Sequence, residues 1–154
     1  MIQRIQTLWF LVSALFSVLL IPGSFLHFSG KNGSNFQIGF SGLIKTEAGV
    51  QQILSMLYPI SIIIVLMLSM SLIAVFLYKK RKIQKILSLC IIMLSCILII
   101  MAGYSYYNVI SDFSAALTPT VRMVFPVITA LAAFLSYRGI SRDDKLVKSY
   151  DRLR

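Results

Sequence analysis

Ionisable groups are nearly missing from most of this chain. It carries five Asp and Glu against fifteen Lys and Arg, with a single His, and only 13% of its 154 residues are charged. Soluble domains hold about 25%. Apolar stretches at about 7–22, 51–78 and 86–110 contain no Asp, Glu, Lys, Arg or His at all. A charge deep in lipid is costly and, where one occurs, usually functional. A small proton-coupled transporter needs a membrane carboxylate, so this absence argues against one. Cysteine is scarce too. Cys90 and Cys96 share one apolar stretch, with no CxxC pair and no Cys/His cluster of metal-ligand spacing. Six residues apart, they face different sides of a helix turning about 100° per residue, and they read as small packing groups. A disulfide-generating quinone enzyme would need paired redox cysteines on the outer side. A lone His27 cannot supply a bis-histidine haem site. Glycine-rich phosphate loops, nucleophile elbows and zinc-protease motifs are also missing. The sequence therefore predicts a protein that is not an enzyme, with no catalytic residue, no metal and no cofactor.

What is abundant is hydrocarbon. Hydrophobic residues make up 58% of the chain, and its mean hydropathy is +0.85. Apolar runs of about 18 or more residues read as membrane helices. Four follow: about 7–22, ended by Pro22-Gly23; about 51–78, with Pro59 near its outer end; about 86–110; and about 120–137, which contains Pro126. A cleaved signal peptide is the rival reading of the first run. It has only Arg4 in its n-region and no convincing small-x-small cleavage pair. The expected fold class is an all-α membrane protein: a four-transmembrane-helix bundle, a small β-hairpin in the first outer loop and a short C-terminal amphipathic helix. Residues 1–140 form the membrane domain and 141–154 the tail.

The basic residues orient these spans. Lys79, Lys80, Arg81, Lys82 and Lys85 lie between spans two and three, Arg138, Arg142, Lys145, Lys148, Arg152 and Arg154 follow span four, and Arg4 precedes span one. The opposite side has Lys31 and Lys45, with Arg122 at the edge of span four. The positive-inside rule puts both termini in the cytoplasm. The net charge of +10 is then topogenic and rests on a bilayer with anionic headgroups. No nucleic acid is needed. Trp9, Tyr58, Tyr78, Tyr104, Tyr106 and Tyr107 fall at the expected interfaces.

The first outer loop carries a β signal. Asn32-Gly33 supplies turn chemistry between "FLHFSG" and "NFQIGFSGLI". In the second arm Phe36, Ile38 and Phe40 alternate with Gln37, Gly39 and Ser41, so a hairpin is expected at about 24–44. In the second outer loop Asp112 pairs with Arg122, or Arg122 snorkels to lipid phosphate. Small and hydroxyl residues mark the helix contacts: Ser13 and Ser17, Ser88 and Ser95, Thr129 and Ala133 with Ala132 and Ser136.

The ending "GISRDDKLVKSYDRLR" reads as a stop and a new start. Gly139 ends span four. Ser141 caps a fresh helix, with Asp144 three residues on as in a capping box. Asp144 and Lys148 form an i,i+4 pair. Leu146, Tyr150 and Leu153 share one apolar face, which lies on the inner leaflet or docks on a partner.

The opening "MIQRIQTLWFLVSALF" and the closing "RDDKLVKSYDRLR", joined by four spans, resemble the Bacteroidota inner-membrane family known only as domain of unknown function 4293. The resemblance covers the whole chain. The matching positions are Gln3, Arg4, Gln6, Lys145, Leu146, Val147, Asp151, Arg152, Leu153 and Arg154. It implies a small four-helix protein of the bacterial inner (cytoplasmic) membrane and transfers no catalytic residue. Candidate contacts with membrane or partner are Arg4, Leu146, Tyr150, Asp151, Arg152, Leu153 and Arg154, with Asp151 meeting Arg4 as one arrangement. The expected role is that of a non-enzymatic assembly, scaffold or accessory subunit, bound to another membrane or cytoplasmic protein or to its own copies. The alternative is a small transporter or lipid-handling protein acting as an oligomer, with Ser13, Ser17, Ser88 or Ser95 lining the path. An enzyme built from Arg122, Asp112 and His27 at the outer surface is the third reading.

Overall fold

A computed structural model describes residues 3–30, 34–47, 50–77, 80–113, 116–118 and 120–152, leaving out the side chains at 3–5, 55, 112–113 and 145–152. Four helices are joined at one end by a sheet. The order is α1 (Gln3–Leu19), β1 (Ser24–Ser29), β2 (Asn35–Gly39), β3 (Gly42–Glu47), β4 (Val50–Ser55), α2 (Tyr58–Phe76), α3 (Arg81–Phe113), β5 (Ala116–Thr118), a 3-10 turn at Val121–Val124, and α4 (Phe125–Arg152). The fold is therefore not purely all-α. The first outer segment forms four strands where one hairpin was expected, and the second contributes a fifth.

The expected hairpin is present as its first half. Its arms pair antiparallel from Ser24 opposite Gly39 to Ser29 opposite Asn35. Its turn residues Lys31, Asn32 and Gly33 lie outside the described residues. The period-two signal holds for Phe36 and Ile38, which are buried while Gln37 is half-buried, but it stops there: Gly39 is buried too, and Phe40 is half-buried past the end of the strand. The chain then turns again instead of running on to 44. Gly39 pairs with Gly42 across a two-residue link, where Gly42 adopts φ +116°, a conformation glycine takes without steric cost. The strand order is β4-β3-β2-β1-β5, and every pairing is antiparallel.

Prolines fix where the second and fourth helices begin. Pro59 stands in the first turn of α2, where a missing N–H costs no helical bond. It starts the helix and does not kink it. Residues 51–55, read as part of the second span, are strand instead. Pro126 likewise lies in the first turn of α4, just after the 3-10 turn.

Each helix packs on two neighbours: α1 and α3 both lie against α2 and α4. The antiparallel sense of α1 and α4 is fixed by two contacts at opposite ends. Phe16 meets Phe125 edge-on, with ring centroids 5.2 Å apart, and Gln6 meets Asp143. Near the sheet the core is made by Phe25, Phe28, Phe36 and Ile38 against Ile60, Ile64, Met67 and Leu98. A second core toward the far end joins Phe10, Ala74, Ile91, Ala133 and Ile140. Phe28 also stacks on Tyr106 at 5.9 Å, which ties the sheet to α3.

Three helical segments are long and apolar enough to cross a membrane: Tyr58–Phe76, Arg81–Ser111 and Val121–Asp144. Their outward faces carry Phe76, Ile100, Met93 and Ile62, all more than half exposed. Monomeric soluble proteins rarely show so much contiguous apolar surface, so these faces suit lipid. The chain is thus read as a multi-pass membrane protein. The helix α1 has 17 residues, about 26 Å at 1.5 Å per residue, just under the ~30 Å of a hydrocarbon core. By contrast, α3 has 33 residues, about 50 Å, and projects beyond such a core.

Candidate functional site

The interior of the bundle is polar in a narrow and specific way. Ser13, Ser17, Ser71, Ser88, Ser95, Thr129 and Ser136 are all fully buried. Ser13 and Ser71 face each other across α1 and α2 with their hydroxyl oxygens 3.1 Å apart. Ser17 and Ser71 also donate to the carbonyls of Ser13 and Met67 on their own helices. Ser95, Ser88 and Thr129 do the same to Ile91, Lys85 and Pro126. Small hydroxyl residues let helix backbones approach closely, and six of these seven bond their O–H groups locally or to each other, while the Ser136 hydroxyl has no partner among the described residues. The four serines proposed to line a path are thus sealed within packed helix contacts.

At the far end two amides close the bundle. Gln84 donates to the carbonyl of Ala74 at 2.8 Å. That carbonyl is among the last four of α2, which lack partners within their own helix. Gln6 donates to a carboxylate oxygen of Asp143, and both residues are buried. Gly139 explains how α1 comes so near. A Cβ built there would lie 3.1 Å from the Gln6 Cγ, so the glycine leaves room for the amide.

This overturns the expected helix stop. The helix α4 passes through Gly139 without a break and runs to Arg152. Glycine was read as a left-handed cap, but here it is helical and serves a close approach. Ser141 is consequently an interior helical residue, with a buried hydroxyl that has no partner among the described residues. Asp143, two residues on, is the partner of Gln6.

The candidate contact residues gather at this same end. Arg4 lies in the first turn of α1, and Leu146, Tyr150, Asp151 and Arg152 lie in the last turns of α4. Their side chains, and Leu153 and Arg154 altogether, fall outside the described residues. Counting from the Gln6–Asp143 contact, Arg4 is about 3 Å further along its axis and Asp151 about 12 Å along the other. The end of α4 therefore projects past the start of α1. Lys85 lies over the ring of Tyr137 at 5.2 Å, and Arg138 and Arg142 flank a cleft of about 610 Å³ beside Gly139 and Ser141.

The sheet end is different in character. Arg122 donates to the carbonyl of Pro22 and lies over Gly23, whose φ is +97°. Any side chain at Gly23 would collide with the guanidinium. The expected partner, Asp112, has its side chain outside the described residues. His27 shares a hydrogen bond of 2.7 Å with Ser24, which also donates to Gln37 at 3.3 Å. Among the described residues no group of three or more His, Cys, Asp or Glu is placed to hold a metal ion. Lys45 and Glu47 pair on the outer strand β3 at 2.6 Å. Beyond them β4 is an edge, with no strand on its far side among the described residues. Its residues 50–54 are exposed on both faces, Val50 and Ile53 by more than half, and none of the six is charged or a proline. Natural edges are commonly guarded by lysine, proline or brevity. Sequence reading missed this edge because its apolar residues run on into those of α2.

The family described as domain of unknown function (DUF4293) matches residues 2–153. The chain belongs to that family. No curated protein and no solved structure matches it. Membership in DUF4293 assigns no role, and within the chain the contact of Gln6 with Asp143 links the two terminal segments in space.

Proposed function

We propose that this DUF4293 protein is a non-enzymatic assembly, scaffold or accessory subunit of a bacterial inner (cytoplasmic) membrane, of the kind found in Bacteroidota. The observation that carries the reading is the unguarded edge β4, a bare backbone ladder at one end of a bundle in which most of the buried hydroxyls are bonded within the helix contacts. Such an edge accepts an extended segment through main-chain hydrogen bonds. Four helices then cross the bilayer, with the short α1 held in place by α2 and α4. The basic end, with Lys80, Arg81, Lys82, Lys85, Arg138 and Arg142, faces the cytoplasm by the positive-inside rule, and the sheet faces outward. On this reading the tail of α4 rests on anionic lipid or on a second protein.

In-cell crosslinking from photoreactive residues at Gln51 and Gln52, followed by purification in mild detergent, tests the role. A discrete covalent partner, a second copy included, is expected, and it should vanish with Ile53→Lys, which places a charge on the edge. Recovery of only the isolated chain, under several gentle conditions with crosslinking, would refute the assembly reading.

A further inference from the structure

A cavity of about 260 Å³ lies beneath the sheet, between β1, β5, α3 and the start of α4. Leu26, Gly103, Tyr106, Leu117, Met123 and Pro126 are among its walls. The Tyr106 hydroxyl is the only polar side-chain group among those six, and drug-sized ligands usually occupy ~300–1,000 Å³ with several convergent polar groups. This space suits an unfunctionalised chain more than a ring system or a solute. Water is a poor occupant, because it needs two to four polar partners.

Gly103 is the decisive position. A Cβ built on it would meet no atom within 4 Å. Nothing among the described residues therefore requires glycine there on steric grounds, and no positive φ does either. A glycine inside a long helix sacrifices about 1 kcal/mol of helix propensity relative to alanine. The residue instead leaves bare backbone as one wall of the cavity. The cavity opens sideways between α3 and α4, where Ile99 and Val127 are exposed. Its depth is interfacial: Tyr104 and Tyr107 follow Gly103 and are each more than two-thirds exposed, as in an aromatic belt at headgroup level.

We infer that this cavity holds one acyl chain of a phospholipid from the leaflet on the sheet side, seated over Gly103. The chain lies under the sheet and against Tyr106 and Met123, and the headgroup stays at the level of Arg122, one residue before Met123. This binding is independent of the β4 edge and requires only that the chain be embedded in a membrane.

The test uses the full chain purified in mild detergent and examined by native mass spectrometry through graded delipidation. One phospholipid should persist on the wild type after general lipid is lost. Gly103→Leu fills the space and should lower that retained lipid at least tenfold, while thermal unfolding stays at or above the wild-type midpoint. A diazirine-bearing acyl phospholipid should label Leu26, Tyr106 or Met123 at least tenfold over Phe76, a lipid-facing residue far from the cavity. Equal lipid retention by wild type and a folded Gly103→Leu would overturn the inference. So would labelling spread evenly between the cavity and Phe76, or an adduct whose mass is that of a free fatty acid.

Discussion

Replacing Gly139 with alanine should destabilise the protein, although the same change in an ordinary helix interior would stabilise it. Propensity alone favours Gly139→Ala by about 1 kcal/mol. The new Cβ, however, would lie 3.1 Å from the Gln6 Cγ and 3.7 Å from its Nε2. Gln6 must then move away from Gly139, and the expected cost is the hydrogen bond it donates to Asp143. A buried hydrogen bond to a charged group contributes about 1.5–3 kcal/mol. The net effect is a loss of roughly 0.5–2 kcal/mol. In a Gln6→Ala background the obstructing atoms are gone, and Gly139→Ala should then recover its ~1 kcal/mol. The two substitutions are thus coupled by about 1.5–3 kcal/mol, well above the ~0.3–0.5 kcal/mol scatter of independent sites. Reversible unfolding of the four variants in one mild detergent measures the cycle. Additive energies would refute the claim that Gly139 exists to admit the Gln6–Asp143 contact.

Gln84→Leu keeps the bulk of the side chain but strips the cap from the Ala74 carbonyl, so it should cost about 1–3 kcal/mol in the same unfolding assay; an unchanged midpoint would count against that cap. Reporter fusions after Arg154 and within 31–35 should score cytoplasmic and external respectively, and the reverse pattern would overturn the orientation. Leu146→Glu and Tyr150→Glu should each raise protease cleavage of the tail in inside-out vesicles, whereas equal protection in both would exclude docking through that face.

Local rules were legible wherever the chemistry was local. Phe36 and Ile38 alternate with polar neighbours, and they bury as one face of a strand. The apolar runs of α2, α3 and α4 declare themselves by length. The strands β3 and β4 do not, because Leu43-Ile44 and Ile53-Leu54 are adjacent apolar pairs that break a period of two. The second pair also merges with the hydrophobic run ahead, so a strand was counted as membrane helix. Gly139 failed for a different reason. Glycine at a helix end and glycine at a helix crossing look alike in one dimension, and Gln6 lies far away in sequence. Asp143 shared that fate, since nothing adjacent to it marks a partner 137 residues off. The cavity at Gly103 was equally hidden, being a property of what four separate elements leave unfilled.

The pairing of His27 with Thr118 has a temporal consequence. The two strands are roughly ninety residues apart, so β1 is made long before β5 exists. At ~5–20 residues per second, one side of β1 waits about 5–18 s for its last neighbour. During that interval β1 is itself a border of the sheet, and it is covered only when α3 has been threaded and its far end delivered. Covering β1 with β5 joins the product of the first helical pair to that of the second. The small strand Ala116–Thr118 acts in effect as a completion signal for assembly of the chain.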